Sequence, residues 1–538
     1  MATTTEAGRT GMERGVGVLL LAAAVAAAIS LPLVVLFLGA VDARDSLDLL
    51  FADTTLQIAL NSAALGVGVT GFSILLGVPL AYLTVRTDLP GRRLFSVLLA
   101  VPLVVPSYIG AFAFVYVFRP TGPFQEALAP LGVESLPSIY GLGGTVFVLT
   151  LYTYPYVFIT TRAALKTLDT TLVDAARTLQ HTQWGAFRRI TLPQIRPAIG
   201  AGALLVALYA LSDFGTPQIM RFDAYTRVIY SAQQYDFDLA VLLSIQLVVV
   251  AFVILAIESR VRGSGVQSEH PGRASSPLRL GRLKWPAVAA CLLVPTLALA
   301  VPLGVLTLWL LESQASVAPS LAFQPVYAFN SAWLAFAAAA LAALAALPVA
   351  WVASRRSRSS ESSLVRSLGT VAERVSYVGY ALPGVVVGFA LVTVAANAGD
   401  LYTSGVIYLP LLVFAYVVRF LPQAAGSTRA AFGQVSPALE EAARTLGDSP
   451  GRAFRRVTLP LVLPGVLGGA ALVFLTTMKE LPATLLLRPT EFETLVTHLW
   501  TAEKQGYYGQ AAIPALVLLV VSALSLLVMV RVEGYDVE

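Results

Sequence analysis

Polar and apolar residues alternate along this chain in long blocks, not at a strand or amphipathic-helix period. Apolar runs fall at about 16–40, 57–84, 94–118, 140–161, 195–220 and 239–258. A second set lies at about 285–311, 327–353, 375–396, 402–424, 461–487 and 510–530. One crossing of a bilayer takes about 20 apolar residues, so the pattern predicts an all-α integral membrane protein with twelve transmembrane helices. The first run has the outline of a signal peptide, with Arg9 and Arg14 before it and the small residues Ala40 and Ala43 at its end. Its apolar stretch is longer than an h-region of about 7–15 residues, which favours an uncleaved helix.

Composition supports that reading. Of 538 residues 57% are hydrophobic and only 12% charged, against about 25% charged in soluble chains, which excludes a soluble multidomain enzyme. The net charge of +5 therefore reports topology, not nucleic-acid binding. With the N-terminus placed in the cytoplasm, cytoplasmic segments collect 29 of the 36 Lys and Arg, among them Arg86, Arg92, Arg93, Arg188, Arg189, Arg355, Arg356 and Arg358. The other side collects seven, while acidic residues split evenly. The Lys/Arg bias sets the orientation, with both termini cytoplasmic. Cys291, alone and inside an apolar run, excludes an intrachain disulfide and a cysteine metal site and reads as a packing residue.

The chain repeats itself. Thr161 and Val173–Leu179 reappear as Thr428 and Glu440–Leu446, and Ala186–Pro193 as Ala453–Pro460, all at an offset of 267. Asn61-Ser62 and Pro79 echo Asn330-Ser331 and Pro348, and Arg260-Val261 echoes Arg531-Val532. Two six-helix repeats entering from the same side are expected to be related by an axis along the membrane normal, with a pathway between them. The expected organisation is an N-terminus with the first helix (1–56), a first transmembrane domain (57–258) and a cytoplasmic linker (259–284). A seventh helix with its external loop (285–326), a second domain (327–530) and a cytoplasmic tail (531–538) complete it.

The strongest repeated signal lies in a cytoplasmic loop between the fourth and fifth spans of each half. Ser436-Pro437 predicts a helix start, and Gly447 supplies a left-handed residue after Leu446. Asp448, Ser449 and Pro450 predict a second short helix to Arg456, which Leu459-Pro460 is expected to break before the next span. Asp169 and Thr182 are the matching caps in the first half. Gly141-Leu142-Gly143-Gly144, at a span entrance, reads as turn and packing.

Glu441, Ala442, Ala443, Gly447, Val457, Leu459 and Pro460 fit the pattern EAA–three–G–nine–I–x–LP. They resemble the signature loop of binding-protein-dependent ABC importer permeases. Asp174, Ala175, Ala176, Ile190, Leu192 and Pro193 match at the same spacing. Asp174 stands in place of Glu, and Gln180 in place of Gly, where a left-handed turn would cost about 1 kcal/mol. The resemblance implies the type I ABC importer permease fold and two loops that dock into two copies of a cytoplasmic ABC ATPase subunit. It also implies an extracytoplasmic substrate-binding protein and a cell-membrane location. Alanines let the helix approach a partner closely, and the carboxylate offers a charge-assisted hydrogen bond. No GxxxxGK[ST] phosphate loop occurs in the chain, so ATP and Mg are expected on the partner subunit, with no cofactor bound here.

For the substrate, a fused double permease of this length resembles the iron(III) and thiamine importers, and more distantly polyamine and phosphonate permeases. Thr477–Pro489 resembles a segment of ferric-iron permeases, and Ser212–Thr216 is similar to the equivalent part of their first half; iron(III) is the implied cargo, with thiamine open. Asp213 and Glu480 are repeat mates late in the fifth spans. Ionisable groups there usually face the bundle interior or water. They either line a pathway with Lys479 and attract a cation, or lie at the outer interface and pair with Lys479, Arg488 or Arg221. Adjacent residues do not face each other on a helix, which makes Lys479 a poor partner for Glu480. Of three histidines, His181 falls in the coupling loop, His270 in the linker and His498 in an external loop near Trp500, Tyr507 and Tyr508. External loops 221–238 and 488–509 mix acids with aromatics, suiting a docking face for a binding protein. The rival class is an ion-coupled secondary transporter, for which Asp213 and Glu480 are the candidate coupling carboxylates. A membrane enzyme is disfavoured by the lack of a His/Cys/Asp cluster at metal or nucleophile spacing.

Overall fold

The computed structural model describes residues 3–120, 122–133, 135–168, 182–263, 277–312, 318–355, 371, 374–403 and 405–532. In the first half, α1 (Thr3–Asp42), α2 (Asp53–Arg86), α3 (Arg92–Leu98), α4 (Ser107–Phe118) and α5 (Leu142–Thr167) precede α6 (Leu192–Ser212). The short helices α7 (Gly215–Ile219) and α8 (Tyr225–Ala232) then lead into α9 (Phe237–Gly263). The second half opens with α10 (Lys284–Pro295), α11 (Val301–Glu312), α12 (Pro325–Arg355), α13 (Gly384–Ala396) and α14 (Tyr408–Gln434). It continues through α15 (Pro437–Thr445), α16 (Pro450–Ala453), α17 (Leu459–Met478), α18 (Pro482–Leu487), α19 (Leu495–Lys504) and α20 (Tyr508–Val532).

Among the described residues, nine helices are long and apolar enough to cross a membrane, or eleven if each of two bent pairs counts as one crossing. The last apolar run lies in α20, where Tyr508–Leu524 forms an apolar helix among the described residues. The bent pairs fall in the third run of each half, expected above to be a single transmembrane helix. Residues 92–118 turn by 92° and residues 374–396 by 104°. The turns fall at Pro106 and Pro383, both extended, with ψ 131° and 146°. A proline biases the residue before it away from the helical region, and Val105 and Leu382 accordingly have ψ 127° and 108°.

The chain packs as two compact units that do not follow chain order. One is Ala43–Ala315; the other joins Met1–Asp42 to Ser316–Glu538. Helix α1 therefore packs with second-half helices, against α12 and α13, and α11 packs in the first-half unit against α4. In that unit Cys291 is fully buried among Leu80, Phe95, Leu99, Tyr154 and Phe158, a packing position. In the other unit α14 and α17 approach closely at small residues. A Cβ on Gly469 would come within 2.9 Å of the Ala424 backbone, which fits apolar surroundings where association rests on close packing.

Leu459-Pro460 does not break the helix before it. The chain runs from α16 through a π-turn, Phe454–Thr458, directly into α17. The first half does the same, with a helical turn at Gln183–Ala186 and a π-turn at Phe187–Thr191 leading into α6. Proline lacks an N–H, and a wider turn just before it accommodates the lost hydrogen bond within a continuous helix.

Candidate functional site

In the second of the two repeated loops the helix start and the glycine turn take the form the sequence suggests. Ser436 takes the extended N-cap conformation, with Pro437 opening α15, although its side chain makes no capping hydrogen bond. At the far end Gly447 has φ 95°. The Gly447 amide donates to the Arg444 carbonyl and the Asp448 amide to the Ala443 carbonyl, both at 3.1 Å. That pair is a Schellman motif, which requires a left-handed residue where Gly447 stands. Asp448 then bonds Arg456 at 3.4 Å, tying the turn to the start of the next helix. Glu441 and Ala442 are exposed, Ala443 half-buried, and Leu446 is 88% exposed. Val457 and Leu459 are half-buried at the π-turn and Pro460 is exposed. The loop thus offers the apolar side chains of Leu439 and Leu446 and the carboxylate of Glu441 to a partner.

Of the first loop, Asp174, Ala175, Ala176 and Gln180 lie outside the described residues, as do Asp169 and His181. Thr182 caps the following turn, accepting from the Gly185 amide at 3.1 Å. Ile190 and Leu192 flank the end of the π-turn, and Pro193 opens α6. Trp184 is 68% exposed and stacks on Phe187, which packs edge-on against Tyr82.

Asp213 and Glu480 do not lie on the fifth-span helices but in the breaks that follow them, after Ser212 and Met478. Each carboxylate caps the short helix beyond its break. Asp213 Oδ2 accepts from the Thr216 amide at 2.9 Å and Oδ1 from the Ser107 hydroxyl at 2.8 Å. Glu480 accepts from the Ala483 and Thr484 amides, each at 3.1 Å, and Thr484 Oγ1 lies 2.8 Å from its Oε2. The ion-pair partner of Glu480 is Arg419 on α14, whose Nη1 is 2.7 Å from Oε1. Arg488 and Arg221 are engaged elsewhere. Arg488 pairs with Glu493 at 2.7 Å, Arg221 lies over the Tyr140 ring, and Lys479 closes α17, half-buried.

Arg419 is the functional candidate that sequence reasoning missed. Its repeat mate is Tyr152, so the internal duplication gives no hint of it. The two halves solve the same problem differently. Ser107 of the α3–α4 bend reaches the shorter Asp213. At the corresponding bend Gly384 leaves room for the longer Glu480 and its arginine. A Cβ there would lie 2.5 Å from Glu480 Oε1 and 2.6 Å from Arg419 Nη1.

The echoed Asn-Ser pairs prove to be pins. Asn61 donates to the Asp223 carbonyl at 3.1 Å and Ser62 accepts from the Tyr225 amide at 2.9 Å. Asn330 and Ser331 hold the Glu493 carbonyl and the Leu495 amide, both at 2.8 Å. They fix the entrances of α8 and α19. On α19, His498 is 2% exposed, stacked on Tyr327 at 4.5 Å. Burial lowers its pKa, and it packs as a neutral ring. Glu503, near the end of α19, is pushed up to about 7 by burial, with Lys504 opposing. Among the described residues no cluster of His, Cys, Asp or Glu could hold a metal ion.

Two stretches of the chain, residues 73–261 and 357–534, match the family model described as binding-protein-dependent transport system inner membrane component. An Fe(3+)-transport system permease protein of Haemophilus influenzae is 29% identical over 490 residues, 89% of this chain and 90% of its own. A probable ABC transporter permease protein of Sinorhizobium fredii is 25% identical over 82% of this chain and 81% of its own. A probable molybdenum ABC transporter permease protein of Haloferax volcanii is 30% identical over 32% of this chain and 61% of its own.

Proposed function

This chain belongs to the family of binding-protein-dependent transport system inner membrane components, and we propose that it is the double permease of an ATP-driven importer carrying iron(III) into the cytoplasm by alternating access. It is a non-catalytic, multi-pass permease subunit with two permease domains; in this family a partner ATPase hydrolyses ATP and a binding protein delivers the substrate. The ion-coupled secondary transporter weighed above is set aside by that membership.

The finer reading is ours. Two ATPase copies engage the two loops, one through Glu441, Ala442, Ala443 and Gly447, the other through Asp174, Ala175, Ala176 and Gln180. Val457, Leu459 and Pro460, with Ile190, Leu192 and Pro193, join each loop to its span. Both termini are cytoplasmic, and the bent pairs with α20 bring the spans to twelve. The extracytoplasmic binding protein docks on loops 221–238 and 488–509. The observation that supports the coupling role is the Schellman turn at Gly447, which follows directly on the exposed Glu441 and Leu446.

Iron(III) is supported by the Fe(3+)-transport relative, which aligns along nearly the whole chain, whereas the molybdenum permease aligns with about a third of it. The test is uptake of labelled iron(III), thiamine and molybdate in a strain lacking this gene, with and without the gene restored. Iron uptake restored alone supports the reading. Restoration of thiamine or molybdate uptake without iron refutes it.

A further inference from the structure

The carboxylate of Glu480 has about four lone-pair positions, and three N–H donors and a shared hydroxyl meet them. Oε1 takes Arg419 Nη1 and the Ala483 amide; Oε2 takes the Thr484 amide and shares the Thr484 hydroxyl, 2.8 Å away, with the Glu480 carbonyl at 2.7 Å. Its side chain is 1% exposed and that of Arg419 is 17% exposed. The adjoining cavity, lined by Ser331, Tyr416, Thr477 and Glu480 among others, measures about 10 Å³, room for one water and nothing larger. Tyr416 reaches Thr484 Oγ1 at 2.7 Å, so α14 grips α18 at a second point.

We propose that Arg419 is a positioning residue for transport. It holds Glu480 as an ion-paired, hydrogen-bonded cap on α18, which braces the α17–α18 break while Glu480 stays off the cargo. This rests on reading the chain as an import permease, and it removes Glu480 from the set of pathway carboxylates that the sequence suggested. Breaking a buried pair from one side leaves an uncompensated charge, whereas replacing both members with neutral groups of similar volume is often tolerated. The clamp therefore predicts a specific pattern of loss and recovery.

The complex with its ATPase and binding protein is reconstituted in vesicles, and ATP-dependent uptake by the unaltered protein is established first; its absence for every cargo would refute the permease reading, not the clamp. Arg419→Met and Glu480→Gln are each expected to lower the maximal uptake rate by about tenfold or more, with the half-saturating concentration of loaded binding protein unchanged. The double variant Arg419→Met/Glu480→Gln is expected to recover to within about threefold of the original rate. Arg419→Lys, which keeps the charge without the fork, should fall between. Amide exchange at Thr484 supplies a readout independent of uptake, with protection lost in Arg419→Met and regained in the double variant. The proposal is overturned if the double variant stays as inactive as Glu480→Gln while Thr484 is protected, which would make Glu480 a cargo contact. Full activity in both single variants, or unchanged Thr484 protection in Arg419→Met, overturns it equally.

Discussion

Adding one methyl group at Gly384 should unsettle the second-half unit. The Cβ of Gly384→Ala would lie 2.5 Å from Glu480 Oε1, 2.6 Å from Arg419 Nη1 and 2.8 Å from Pro482 Cγ. None of the three is the loose end of a flexible chain. Two belong to an ion pair fixed by further hydrogen bonds, and the third is the ring that opens α18. Relief therefore requires either parting α13 from α18 or displacing Arg419 from Glu480. Overpacking of this kind costs about 1–3 kcal/mol, and separating the pair carries the cost towards about 3–5 kcal/mol. The helical preference of alanine over glycine returns at most about 1 kcal/mol, and less at the first turn, where Gly384 stands. The expected net loss is about 1–3 kcal/mol, or several degrees of unfolding temperature. Thermal unfolding of the purified protein in detergent is the assay, with uptake alongside. Gly433→Ala is the control, since it lies near the end of α14 with nothing within 4 Å of its Cβ. Equal stability of Gly384→Ala and Gly433→Ala would refute the close-approach argument.

Ser331→Ala should leave the buried Leu495 amide unsatisfied, costing about 1–3 kcal/mol, and amide exchange at Leu495 should accelerate; unaltered exchange would show the pin to be idle. Gly447→Gln should strain the turn at φ 95° by about 1 kcal/mol and weaken ATPase-subunit retention, whereas Gly447→Asn, better tolerated in the left-handed region, should be milder; equal effects would count against the turn. Glu503 is protonated in both folded and unfolded chains below about 4.5, its ordinary value, but keeps its proton up to about 7 only when folded. Its contribution to stability is thus lost as pH rises from about 4.5 through about 7, and Glu503→Gln should flatten that part of the stability–pH profile. Glu441→Lys should lower ATPase binding and uptake without affecting membrane insertion; unchanged uptake in Glu441→Lys combined with Asp174→Lys would end the coupling assignment.

Much of the architecture was legible because it is written twice. The offset of 267 located both loops, and the Schellman turn followed from a glycine six residues beyond Glu441. Asn330-Ser331 was visible as an echo of Asn61-Ser62, though nothing in the pattern said what either pair held. Hydropathy could not register the sharp turns at Pro106 and Pro383, since an apolar run reads alike whether straight or folded, although the prolines themselves were a signal. Nor could it assign α1 to the second-half unit, because an apolar helix does not record its neighbours. Arg419 was hidden for a different reason. Nothing in the repeat marks it, and its partner sits 61 positions away in a break that only the folded chain reveals.

The continuous helices behind the two repeated loops give each half a lever. Residues 184–212 and 450–478 each run as 29 helical residues, about 43 Å at 1.5 Å per residue. One end of each rod carries the loop that would meet an ATPase, and the other ends beside Asp213 or Glu480. A tilt of about 10° at the loop end would sweep the far end through about 7 Å. A small rotation at one surface is enough to displace the broken segment at the other, with no relay of side chains needed between them.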